Sequence, residues 1–166
     1  MKFVRNLLMA ASVLTLFSTL SQAAPTAQQA FDQVKTLAGE WETKTPDGKT
    51  ALVSYRVLAN GSSIVSEINA PEDNMISVIH MDKDRLLLTH YCAAGNQPRM
   101  QGTASADGKV ITFDFVDGTN ILPSQNGHMR RLVITMADAD HHSEDWTFAG
   151  NDGKDMHERF ELQRKK

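Results

Sequence analysis

Cysteine is almost missing from this chain. Cys92 is the only one, so no intrachain disulfide can hold the fold and packing must do so. There is no Cys-x-x-Cys, Gly-rich phosphate loop, His-Glu-x-x-His or Gly-x-Ser-x-Gly. The common signatures of redox, nucleotide, zinc and serine-hydrolase chemistry are therefore not available, and no catalytic motif stands out. Positive charge is also short: 17 basic side chains face 20 acidic ones in 166 residues, a formal charge of −3. Such a balance gives no electrostatic reason to bind nucleic acid or an anionic membrane. After residue 23 no run is apolar enough to cross a bilayer.

What is present begins with a targeting pattern. Lys2 and Arg5 precede an apolar stretch from Leu7 to Leu20, and Ser21-Gln22-Ala23 puts small residues at a small-x-small site. This reads as a secretory signal over residues 1–23, cleaved to leave Ala24 first, and implies a secreted or periplasmic protein. The apolar run is shorter than the roughly 20 residues of a membrane span, which argues against an anchor. Removing Lys2 and Arg5 from the 17 basic residues leaves 15 against 20 acidic ones, a mature charge of −5. Residues 24–166 are one domain's worth of chain.

Ala27, Ala30, Phe31, Val34, Leu37 and Ala38 recur at helical spacing, which predicts one amphipathic helix over about 27–38, capped near Thr26. From Gly39 the period changes to two. Asp47-Gly48, Asn60-Gly61, Asp107-Gly108 and Asp152-Gly153 are hairpin dipeptides, and Asp82-Lys83-Asp84 is a polar turn. Ten strands follow, near 40–46, 49–59, 62–69, 74–82, 85–92, 97–105, 109–116, 128–137, 141–149 and 155–163. The longest break, 117–127, contains Pro123 and has room for a short helix.

Turn positions fix the registers. Asn60-Gly61 pairs Val57 with Ile64, Tyr55 with Ser66 and Val53 with Ile68. Lys83-Asp84 pairs Met81 with Leu86, Ile79 with Leu88, Ser77 with His90 and Met75 with Cys92. Asp107-Gly108 pairs Ala104 with Ile111, Gly102 with Phe113 and Met100 with Phe115. Alternation then turns Ile111, Phe113 and Phe115 inward, together with Trp146, Phe148, Met156, Phe160 and Leu162. The pattern predicts an all-β chain, an antiparallel barrel of eight to ten strands with one N-terminal helix. A two-sheet sandwich is the alternative, and it needs long crossings for which only one loop is long enough.

Leu37-Ala38-Gly39-Glu40-Trp41 resembles the Gly-x-Trp signature of the lipocalins and their calycin relatives, which implies that Trp41 plugs the closed end of the barrel. The helix ahead of the motif, the lack of a cysteine pair and the lack of a C-terminal helix depart from most lipocalins. The mature chain is also similar to a group of uncharacterised bacterial secreted proteins with a lipocalin-like barrel, a domain of unknown function. That likeness is most specific in Leu88-Thr89-His90-Tyr91-Cys92-Ala93-Ala94-Gly95-Asn96-Gln97-Pro98-Arg99-Met100 and brings no biochemical role with it. The haem-binding nitrobindins are more distant relatives; their proximal histidine has no clear counterpart here, although His90 or His142 could ligate iron from within.

Barrels of this size can hold one small ligand. Parity places Tyr55, Ser66, Met75, Ser77, His90, Cys92 and Met100 inside, with Gln97 and Arg99 at the mouth, where Arg99 could meet a carboxylate if a bulge turns it in. If residues 93–97 form the connection, His90 faces Met100 and Gly102 leaves space beside Leu88. Such a lining fits a small lipophilic or amphipathic molecule. The competing reading is a filled barrel that acts through its surface, with His90 and Cys92 as packed core residues; a haem-binding barrel, or a haem- or thiol-dependent enzyme, is the third. In Asp138-Ala139-Asp140-His141-His142-Ser143-Glu144-Asp145 the adjacent histidines point to opposite faces, which favours a solvated turn over a metal site. His80 and His157 take the outward parity.

Overall fold

The computed structural model describes residues 24–45, 48–70, 74–122 and 127–166. The signal reading for 1–23, the Asp47 half of the first turn, and Pro123 lie outside them. Helix α1, Ala27–Lys35, opens with a complete capping box: the Gln29 amide donates to the Thr26 hydroxyl at 3.2 Å, and the Thr26 amide donates to Gln29 Oε1 at 2.8 Å. Its buried stripe is Ala30, Phe31 and Val34. The helix is shorter than its apolar spacing because Thr36 and Leu37 already form a turn.

Ten strands follow: β1 Gly39–Lys44, β2 Thr50–Leu58, β3 Ser63–Asn69, β4 Asn74–Asp82, β5 Arg85–Tyr91, β6 Gln97–Ala104, β7 Val110–Thr119, β8 His128–Met136, β9 His141–Ala149 and β10 Asp155–Arg164. Each pairs antiparallel with the next, and β10 returns to β1, so the sheet closes into a barrel. β7 runs to Thr119, three residues further than the alternation alone indicates.

Three hairpins keep the expected registers. Tyr55 faces Ser66, Ser77 faces His90, and Gly102 faces Phe113. At Asn60-Gly61 both central residues have left-handed backbone, and the Ser62 amide donates to Ala59 O at 3.1 Å. The β5–β6 connection differs. The Cys92 amide donates to Asn96 O at 3.1 Å, which closes the turn two residues earlier than a 93–97 connection would. Leu88 therefore faces Met100 and Leu86 faces Gly102. No space opens at Gly102, since a Cβ there would come within 2.8 Å of both Leu86 and Phe113.

Alternating hairpins put the turns after β2, β4, β6 and β8 at one end, together with α1. Trp41 closes this end. Its indole Nε1 donates to Leu37 O at 2.8 Å, and the Arg164 guanidinium lies 4.1 Å from its ring centroid. Arg164 also donates to the carbonyls of Thr36, Ala38 and Ala139, tying the helix exit to the last strand. Gly39 is required beside it: at φ 133° a Cβ would lie 2.7 Å from Arg164 Nη1. The seam is short, with only Trp41–Arg164 and Glu42–Gln163 registered between β1 and β10.

Candidate functional site

The interior is polar at its middle because four neighbouring strands present polar side chains at one level. Tyr55, Ser66, Ser77 and His90 are successive register partners across β2, β3, β4 and β5, and all four are buried. Ser77 Oγ lies 2.9 Å from His90 Nδ1. From the opposite wall β9 contributes His142, Glu144 and Trp146, alternate residues that share the inward face.

Glu144 is the centre of this group. It is 0 % exposed, and the Tyr55 hydroxyl reaches across the barrel to donate to its Oε1 at 2.6 Å. Trp146 Nε1 donates to Oε2 at 3.0 Å, and His142 Nε2 lies 3.5 Å from Oε1. Burial, and then the neighbouring carboxylate, push the Tyr55 hydroxyl well above the usual phenol range. His142 packs edge-on to Trp41 at 4.2 Å, linking the group to the closed end.

The imidazoles are under-satisfied. His90 Nε2 and His142 Nδ1 are buried and find no hydrogen-bond partner among the described residues. For His90 either tautomer leaves this deficit: Nε2 lacks an acceptor if Ser77 donates to Nδ1, and lacks a donor if Ser77 accepts. Desolvation holds the His90 pKa down at about 4, against a weaker opposing pull from Glu144, so the ring is neutral at physiological pH. Its ring stands 4.8 Å from that of Trp146.

Toward the end opposite α1 the described inward side chains are apolar and only partly buried. Met75, Met129 and Phe148 are half-buried, and Phe115, with its inward parity, is 36 % exposed against His128 at 4.4 Å. Met156, expected inside, is 60 % exposed. The reason is the short seam: among the described residues no strand pairs with β10 on its β1 side before Gln163, so the wall is notched there.

The sequence-derived lining thus divides. Tyr55, Ser66, Ser77, His90 and Met100 are buried in the interior, and Met75 stands at the mouth. Cys92 is half-buried, but in the turn beyond β5 and not on the strand. Gln97 accepts from Thr119 at 2.7 Å and Asn120 at 2.8 Å, which holds it to the β7 side. Arg99 faces out, with Nε 2.7 Å from Asp117. A register irregularity does occur at Arg99/Met100, but it skips Val116 on β7 and leaves the parity of β6 unchanged. Arg99 is therefore not a carboxylate anchor at the mouth.

Glu144 does not stand out as a site in the sequence, and His142 enters it only as an iron ligand, because their surroundings, Asp138 to Asp145, look like a solvated turn. His141 is indeed exposed and bonded to Asp138 at 2.9 Å, while His142 is buried. The usable signal was parity, since Trp146 and Phe148 carry His142 and Glu144 inward with them.

These features define a closed ten-stranded antiparallel barrel with a charged, hydrogen-bonded interior. Its fold is similar to that of Rv2717c from Mycobacterium tuberculosis, a crystal structure that matches with a TM-score of 0.53 at 17% identity over 82% of this chain and 98% of that one. At that identity the likeness is one of fold. No protein-family model and no curated protein matches the chain.

Proposed function

We propose that this protein is a secreted or periplasmic barrel of lipocalin-like type that binds a small, partly apolar molecule without transforming it. The observation that carries the reading is the orphan Nε2 of His90, buried in a polar row below an apolar mouth. Burying a polar group without a partner costs about 1–3 kcal/mol, and buried charged sites are often no more stable than well-packed apolar ones. Glu144 is satisfied by Tyr55 and Trp146 whether or not a ligand is present, whereas a ligand with a polar end supplies what His90 lacks. Met75, Phe115, Met129 and Phe148 would meet the apolar body of that ligand.

The test is titration with the neutral fluorescent amine N-phenyl-1-naphthylamine. One saturable site is expected, weakened by His90→Ala roughly three- to ten-fold, the worth of one hydrogen bond. No saturable binding, or equal affinity in both proteins, would leave the surface-acting, filled barrel as the better reading. A neutral buried imidazole is also a possible axial ligand for haem iron, and a Soret band in the purified protein would select that alternative.

A further inference from the structure

An apolar acid needs a cation, or several free donors, where its carboxylate docks. This interior offers little of either: the only unpartnered nitrogens described beside its polar row are the imidazole atoms His90 Nε2 and His142 Nδ1. Glu144 is buried at its centre, and the donors of Tyr55 and Trp146 are already committed to that carboxylate. The arginines do not compensate. Arg99, Arg130, Arg131 and Arg159 are half exposed and paired with Asp117, Asp155, Asp114 and Asp145. Arg164 is held by three carbonyls at the closed end, over Trp41.

Resting on the ligand-binding reading above, we infer that the barrel discriminates by head-group charge: it takes amphiphiles ending in an amine or a hydroxyl and rejects those ending in a carboxylate. A protonated amine gains from the Glu144 charge and can donate to His90 Nε2. An alcohol satisfies the same nitrogen without a charge. A carboxylate would be buried near a second carboxylate with no arginine beside it, the arrangement that penalises both. A unit charge about 8 Å from a carboxylate, at an effective dielectric near 20, changes affinity roughly thirty-fold.

Displacement of bound N-phenyl-1-naphthylamine by dodecylamine, dodecanol and dodecanoate at neutral pH tests the inference. Dodecylamine is expected to bind at least roughly ten-fold tighter than dodecanoate, with dodecanol between them. Glu144→Gln should shrink the gap to within about three-fold. Dodecanoate binding as tightly as dodecylamine, or a gap unchanged in Glu144→Gln, would overturn it while leaving the ligand-binding reading intact. Failure of the neutral probe to bind would overturn the ligand-binding reading first. If Glu144→Gln does not fold, the ranking at high salt decides: surface attraction fades under screening, whereas discrimination by a buried charge persists.

Discussion

His90 has two assignments at once, as a packed core residue and as an under-satisfied one. Its depressed pKa gives a stability signature whose sign is fixed. The unfolded chain takes up a proton near pH 6.5 and the folded one only near 4, so between those values the unfolded state binds more protons. Stability is therefore full above about pH 6.5 and falls as the pH drops toward 4, by about 3 kcal/mol in all. Urea unfolding across that range should show the slope, and His90→Gln should flatten it; an unchanged slope would assign it to other groups. Trp41 is the other residue with a measurable burden. It is 0 % exposed, and Trp41→Ala should cost roughly 3–5 kcal/mol, as aromatic core truncations do. A loss below about 0.5 kcal/mol, typical of exposed positions, would remove it from the core.

At the scale of elements, local chemistry decided most of what could be read in advance. The strands and their registers follow from turn dipeptides and period-two alternation, as Tyr55–Ser66 and Ser77–His90 show. The capping box at Thr26 was equally local, and Thr26→Ala should cost about 1 kcal/mol in thermal or chemical unfolding. What could not be read were features set by distant strands. The closure of the Cys92–Asn96 turn moved His90 away from Met100, and the seam left Met156 outside. Glu144 was hidden for a different reason. A charged residue beside a polar turn looks solvated unless strand parity is given more weight than composition, and its partner Tyr55 lies 89 residues away.

For the whole molecule, closure is the weak point. Two registered pairs join β1 to β10, against nine between β9 and β10. Amides along the β1–β10 seam should therefore exchange with deuterium faster than those between β9 and β10. Equal protection would mean that the closed end, not strand pairing, governs opening. Arg164→Ala, which removes three hydrogen bonds to carbonyls, should speed seam exchange and lower stability by about 2 kcal/mol.

The chain has two tryptophans, and they stand on different storeys of the same interior. Trp41 is covered by Arg164 at the closed end, while Trp146 touches His90 and Glu144 on the side facing the mouth. The protein thus carries a pair of optical reporters at known depths, with no label needed. An occupant entering from the mouth should change the emission of Trp146 and leave that of Trp41 nearly as it was. In Trp146→Phe the response should vanish, while unfolding still registers through Trp41. How far a molecule penetrates would then be read directly from which of the two lights responds.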